Sequence, residues 1–173
     1  MKLKKFSFKS VTSTNDIAIK KIKDGIFSGI IIAEKQTKGR GRHGKKWIYL
    51  KNNLFMSVFF NLRKNISLRS LTKTSCNIVK ESLKKKINKK ITIKEPNDLL
   101  INKKKVCGIL QETVFHKSRK FAVIGIGVNI NSSPIINKYP ATHLNFFTNK
   151  NLSSFKIYNE IKMNFENYLK LKT

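Results

Sequence analysis

The apolar residues of the chain fall into short runs separated by polar and glycine-containing segments. Runs of four to eight apolar or alternating residues are typical of strands. They predict single strands at GIIIAEKQ, NNLFMSVFFNL, ITIKEP and KFAVIGIGVNIN, and a hairpin formed by DLLI and KVCGILQETVF.

Three other segments carry apolar residues at helical spacing. The first begins with Ser13 or Thr14 as a cap and stops near Gly25, the second covers residues 67–87, and the third covers about 153–170. The order is therefore helix, two strands, helix, several strands without intervening helices, and a closing helix. Regular alternation of strands and helices would favour a parallel sheet, whereas this order predicts an α+β fold with a mixed, mainly antiparallel sheet backed by helices.

The length of the chain bounds its organisation. A chain of 173 residues fits one domain, and we expect residues 1–173 to form a single domain. The N-terminus MKLKKFSFKS lacks the apolar stretch of a signal peptide, and no apolar run approaches the roughly 18 residues of a membrane span. Cys76 and Cys107 form no CxxC pair and read as buried, reduced residues. We therefore expect a cytoplasmic protein with no membrane partner.

The net charge of +28 points toward nucleic acid, but its origin weakens that inference. It comes from 32 lysines and only 5 arginines, and isoleucine and asparagine are also frequent, at 22 and 18. AT-rich codons encode Lys, Asn and Ile, so a bias in base composition accounts for the lysines. The arginines are then the more informative cations, and two of them lie in GRGRHGKKW, residues 39–47.

The segment 39–47 has the composition of a ligand-binding loop. Its three glycines permit tight turns and expose backbone N–H groups, and Arg40 and Arg42 supply forked donors for carboxylate or phosphate. Trp47 can lie over an organic ring. These features predict a clamp for a small ligand with a carboxylate and a phosphate. Binding of RNA by an RGG-type segment is the alternative, although this segment lies between two apolar strands.

Three further clusters carry candidate chemistry: STND at 13–16, KEPNDLL at 94–100 continuing to KVCGIL at 105–110, and GIGVNIN at 125–131. Asp98 can orient a metal-bound phosphate, and Lys105 can neutralise charge as an acid anhydride forms. An exposed Pro-Asn-Asp turn is the alternative for the second cluster. The histidines show no metal-ligand spacing, and no hydrolase, zincin or P-loop motif is present.

Together the clusters resemble the catalytic domain of biotin protein ligases. The family pattern is S-T-N, Q-x-x-G-R-G-R-x-G-x-x-W, K-W-P-N-D, K-x-x-G-I-L and G-x-G-x-N, and this chain matches it in order and spacing at 13–15, 36–47, 94–98, 105–110 and 125–129. Glu95 departs from the pattern, because the family has Trp there.

The resemblance implies a fold similar to class II aminoacyl-tRNA synthetases and a two-step reaction. Biotin and MgATP give biotinyl-5′-AMP, and a lysine of the biotin carboxyl carrier protein of acetyl-CoA carboxylase then attacks it. The alternatives are a lipoate–protein ligase, an inactive relic of a ligase, or a basic nucleic-acid-binding protein. The resemblance also implies that the DNA-binding domain and the C-terminal β-barrel of other members are lacking, so we expect no specific DNA binding. A homodimer is compatible with the sequence.

The resemblance assigns the motif residues by position. Those near the biotin rings would be Ser13, Thr14, Asn15 and Gln36. Arg42 would hold the carboxylate or α-phosphate, and Lys105 would stabilise charge there, while no metal ligand is assigned. The implied catalytic residues are Lys105, Arg42 and Asp98, and the implied binding residues are Ser13, Thr14, Asn15, Gln36, Gly39, Arg40, Gly41, Arg42, Trp47, Lys105, Gly108 and Asn129.

Overall fold

A seven-stranded sheet with helices on both faces forms the body of the protein. The computed structural model describes residues 2–62, 66–136 and 139–171. The sheet order is β1-β2-β3-β7-β6-β5-β4, with β1 and β2 parallel and the other neighbours antiparallel. The elements are β1 Lys5–Val11, α1 Thr14–Lys23, β2 Gly29–Gln36, β3 Leu54–Asn61, α2 Leu68–Lys84, β4 Ile91–Lys94, β5 Asp98–Ile101, β6 Lys104–His116, β7 Arg119–Val128 and α3 Ser154–Lys170.

The predicted α+β class and the mainly antiparallel sheet are confirmed. The predicted element order is wrong at its start, because β1 precedes α1. This strand reads KFSFKSV, and it lies at the edge of the sheet with most of its residues exposed or half-buried. The sequence pattern did not predict this strand because its residues are largely polar, and an edge strand needs few apolar residues.

The helices divide the core into two clusters on opposite faces of the sheet. Residues of α2 and α3 pack with Met56 and Val58 of β3, whereas Ala18 and Ile22 of α1 pack with Phe59. The central strands β3 and β7 are thus buried on both faces, which explains their continuous apolar runs. Within the described residues, no helix is long and apolar enough to cross a membrane.

Cys76 and Cys107 are wholly buried and unpaired. Burial raises the pKa of the Cys76 thiol to about 11, and burial likewise raises the pKa of Cys107 well above its usual value. Because only a thiolate reacts readily, we expect neither thiol to react with an aromatic disulfide reagent at pH 8 in the native protein. Both should react after denaturation, and reaction of the native protein at the denatured rate would contradict this prediction.

Candidate active site

One cavity of about 290 Å³ opens where the start of α1, the segment after β2 and the middle of β6 and β7 meet. All four sequence clusters contribute to its walls. Gly39 is the one predicted site residue that does not line it, and it lies against Gln36 and Trp47 instead. The predicted residues that line the cavity are Ser13, Thr14, Asn15, Gln36, Arg40, Gly41, Arg42, Trp47, Asp98, Lys105, Gly108 and Asn129.

Buried polar side chains form one end of the cavity. The backbone N–H and the hydroxyl of Thr14 donate to Gln36 Oε1 at 2.7 and 3.0 Å. Ser57 of β3 is wholly buried, and its Oγ lies 2.7 Å from Thr14 Oγ1 and 2.6 Å from Asn15 Oδ1. Because a buried polar group without a partner is costly, this network fixes the orientation of each side chain.

Two donors at this end remain for a ligand. Gln36 Oε1 already accepts two hydrogen bonds from Thr14. The described residues provide no acceptor for the two hydrogens of Gln36 Nε2. The hydroxyl of Ser13 caps no N–H of α1, although this residue stands at the N-cap. A neutral ligand oxygen, such as that of a urea or an amide, would accept from both groups.

Asn15 is held on both sides of its amide. Its Nδ2 donates to Glu112 Oε2 at 2.6 Å and to Leu110 O at 3.3 Å, while its Oδ1 faces Ser57. Gly125 lies close to it, because a Cβ there would be 2.5 Å from Asn15 Oδ1. Both hydrogens of Nδ2 are engaged by the protein, so Asn15 braces the polar end.

The loop of residues 39–47, called the GR loop below, folds back on itself along the cavity wall. Trp47 N donates to Gly39 O at 2.9 Å, and Gly41 N donates to Lys45 O at 2.6 Å. These two bonds join the ends of the loop and tie its tip to its first half. The loop is therefore an ordered hairpin rather than an extended basic segment.

The indole of Trp47 lies against two glycines. Gly108 of β6 and Gly127 of β7 are paired in the sheet, and a Cβ on either would come 2.6 Å from an indole carbon. Lys105 Nζ is 5.3 Å from the ring centroid, within the range of a cation–π contact. The absence of side chains at these two positions gives the indole its place.

The two arginines of the GR loop have different partners. Arg40 lies 2.6 Å from Asp16 Oδ1 and 3.0 Å from Glu112 Oε2. Arg42 instead contacts the neutral Asn97 Oδ1 at 3.4 Å, and it joins no ion pair within the described residues. The charge of Arg42 is therefore available to an anionic ligand, whereas two carboxylates already neutralise Arg40.

Lys105 and Asp98 form the charged end of the cavity. Lys105 Nζ lies 2.7 Å from Asp98 Oδ1, so the two side chains form a close ion pair. Asn129 Nδ2 donates to Thr142 O at 3.1 Å, and Lys105 N donates to Pro140 O at 2.8 Å. Asn129 thus braces the backbone around Lys105.

The charged end fits a magnesium ion that arrives with a nucleotide. No three His, Cys, Asp or Glu side chains form a metal cage in the described part of the chain, and among those residues Asp98 is the one carboxylate that lines the cavity. Mg²⁺ commonly takes one or two carboxylates together with phosphate oxygens. The carboxylate of Asp98 suits this role.

The departure at Glu95 lies outside this cavity. Glu95 borders a separate groove beside α2, its side chain is 67% exposed, and it lies 4.0 Å from Arg69. Arg42 and Asn97 border both the groove and the main cavity.

Sequence reasoning missed three residues that shape the site: Ser57, Glu112 and Tyr139. Tyr139 contacts the GR loop, because Lys45 Nζ donates to its hydroxyl at 2.8 Å. A serine within the apolar strand LFMSVFFN is a signal that could have identified Ser57. The other two lacked a local signal, since their partners come from distant segments.

Comparisons with known proteins agree with this geometry. The model of the biotin/lipoate A/B protein ligase family matches residues 7–129. The bifunctional ligase/repressor BirA of Bacillus subtilis is 37% identical over 116 residues, which are 64% of this chain and 34% of that protein. The biotin–[acetyl-CoA-carboxylase] ligase of Paracoccus denitrificans is 30% identical over 126 residues, which are 70% of this chain and 52% of that protein. The chain thus spans about a third to a half of the length of these relatives.

Solved structures extend the similarity to nearly the whole chain. The Aquifex aeolicus biotin protein ligase in complex with biotin and ATP has a TM-score of 0.81 at 29% identity, over 96% of this chain and 70% of that one. The Leishmania major biotin protein ligase in complex with biotinyl-5-AMP has a TM-score of 0.81 at 26% identity, over 93% and 72%. The fold is therefore that of these ligases.

Proposed function

The chain belongs to the biotin/lipoate A/B protein ligase family, and from that premise we propose that it is an ATP-dependent biotin–protein ligase. It joins biotin to AMP and then transfers the biotinyl group to a lysine of a biotin carboxyl carrier protein. The two-ended cavity carries the proposal, since donors for a neutral head group lie at one end and cations lie at the other. A carboxylic acid with a polar head meets matching groups at both ends.

The free donors of the polar end favour biotin over lipoate. Gln36 Nε2 and the Ser13 hydroxyl suit the ureido oxygen of biotin. The dithiolane ring of lipoate has no comparable acceptor and would leave these donors unpaired, which is a strong basis for rejection. Biotin is therefore the proposed acid substrate.

Adenylation is proposed to depend on position and charge. An oxygen of the biotin carboxylate attacks the α-phosphorus of ATP, the bond to the bridging oxygen breaks, and pyrophosphate leaves with the electron pair. Arg42 and Lys105 stabilise the negative charge that gathers around the reacting atoms. Mg²⁺, which Asp98 would hold, neutralises phosphate charge when it is bound.

Transfer is proposed to use the same cations. The neutral amine of the carrier lysine attacks the carbonyl carbon of the adenylate, the bond from that carbon to the phosphate oxygen breaks, and AMP leaves with the electron pair. The nitrogen gives up one proton to water as the amide forms. Lys105 stays beside the leaving phosphate because Asp98 fixes it at 2.7 Å. No protein nucleophile is needed.

The partner and compartment are proposed with the reaction. The relative from Paracoccus denitrificans, named as a ligase acting on acetyl-CoA carboxylase, supports the carrier subunit of that enzyme as the acceptor. The two buried, unpaired cysteines support a reducing compartment such as the cytoplasm. The absence of specific DNA binding and the homodimer stay predictions.

A carrier-biotinylation assay tests the function. We expect the protein with biotin, MgATP and a biotin carrier domain to add one biotinyl group to one lysine, detected by intact mass and peptide mapping. A parallel reaction with lipoic acid should give no product. A folded protein that forms neither biotinyl-AMP nor biotinylated carrier, or that prefers lipoic acid, would refute the proposal.

A further inference from the structure

Arg40 ties the GR loop to two separate elements through carboxylates. Asp16 stands in the first turn of α1, and Glu112 lies in β6, 72 residues further along the chain than Arg40. We propose that Asp16 and Glu112 form a latch that holds the GR loop closed on the biotinyl-adenylate, and that Glu112 is a positioning residue for Asn15. This inference rests on the proposed function and adds a device that controls retention of its intermediate.

The charge balance separates the roles of the two loop arginines. Arg40 faces two carboxylates, so its environment carries no surplus positive charge for a phosphate. Arg42 faces a neutral amide oxygen and keeps its charge for the ligand. Arg40 therefore acts on the loop, whereas Arg42 acts on the bound anion.

Partial exposure makes the latch reversible. The side chains of Arg40 and Asp16 are 42% and 47% exposed. Exposed ion pairs are weak and are screened by salt, so each contributes only up to about fivefold to a closed population. A loop that opens for substrates and closes on the intermediate needs contacts of this modest strength.

Glu112 links the loop to the polar end of the cavity. One oxygen, Oε2, accepts from Arg40 at 3.0 Å and from Asn15 Nδ2 at 2.6 Å. Its side chain is only 25% exposed, so both are charge-assisted bonds in a partly desolvated place. When the loop opens, Arg40 leaves this oxygen, and Asn15 loses the charge balance around its main partner.

Release of the intermediate tests the latch. The full chain is loaded with labelled biotin and MgATP, freed of excess substrate, and followed as biotinyl-AMP leaves into a trap. We expect Asp16→Asn and Glu112→Gln each to release it about fivefold faster than the wild type. Arg40→Ala should release biotinyl-AMP at least as fast as the double variant, which carries both Asp16→Asn and Glu112→Gln. Arg40→Lys should release it more slowly than Arg40→Ala, because the lysine keeps the positive charge.

The control and the salt response separate a latch from a general effect of charge or folding. Asp24→Asn removes one negative charge from the end of the same helix, and Asp24 has no ion pair within the described residues, so it should behave as the wild type. Salt from about 0.05 to 0.5 M should speed release from the wild type more than from the variant that carries both Asp16→Asn and Glu112→Gln, because salt screens the latch in the wild type only. Glu112→Gln should also raise the KM for biotin, which Asp16→Asn should not.

Two outcomes would overturn the latch. The first is release within twofold of the wild type from both carboxylate variants, and the second is equal effects of Asp16→Asn and Asp24→Asn. A wild-type chain that forms no biotinyl-AMP would instead refute the proposed function, so the two failures are distinguishable. Asp16 is half exposed, and its isosteric substitution keeps the fold testable if Glu112→Gln is unstable.

Discussion

Lys105→Ala is expected to lower the rate of biotinyl-adenylate formation by about 10²–10³-fold, measured as pyrophosphate release in a single turnover. Two effects combine in this loss. The substitution removes a cation from the charged end of the cavity, and it leaves the carboxylate of Asp98 without the partner that lies 2.7 Å away. The unpaired carboxylate then repels the incoming biotin carboxylate.

Lys104→Ala is the matched control for this prediction. Lys104 is the preceding residue of the same strand, it is exposed, and it does not line the cavity. If the rate of adenylate formation depended only on the overall positive charge of the protein, either substitution would lower it equally. Equal losses would therefore contradict the role of Lys105. Asp98→Ala added to Lys105→Ala should recover part of the binding of biotin, because it removes the repulsion of the biotin carboxylate.

The sequence motifs predicted most of the polar residues that line the cavity, because these motifs are short and local. Each motif can be identified from a few consecutive residues: the GR loop with Trp47, the Pro-Asn-Asp segment that leads into β5, and the glycines of β7. Their assembly could be predicted only through the resemblance. Residues more than 50 positions apart meet because the strands pair in one register, which no local pattern specifies.

The residues that were missed illustrate this dependence on register. Ser57 and Leu110 both pair with Gly125, so one row across β3, β7 and β6 carries Ser57, the glycine beside Asn15, and the carbonyl that receives Asn15 Nδ2. Likewise, the GR loop alone presents Arg40 and Arg42 as two similar forked donors, and only the resemblance assigned the anion to Arg42. They differ only because two distant carboxylates, Asp16 and Glu112, come to one of them.

Gly127→Ala is expected to displace Trp47 and to lower kcat/KM for adenylate formation by about 100-fold. An alanine Cβ would lie 2.6 Å from Cζ2 and 2.8 Å from Nε1 of the indole, closer than atoms of these kinds approach. The strand cannot yield easily, because Gly127 is paired with Phe55 on one side and Gly108 on the other. The indole must therefore move, and the contact with Lys105 at 5.3 Å is lost with it.

Fluorescence reports this displacement directly, because Trp47 is the one tryptophan of the chain. Its emission should shift to longer wavelength in Gly127→Ala as the indole becomes more exposed to water. Gly125→Ala is the matched control, since the same change two residues earlier meets Asn15 Oδ1 at 2.5 Å instead of the indole. It should weaken biotin binding without the spectral shift. In a Trp47→Ala background, Gly127→Ala should cost little more activity, because the two changes act on one contact. Full additivity of the two losses would show that the glycine serves something other than the indole.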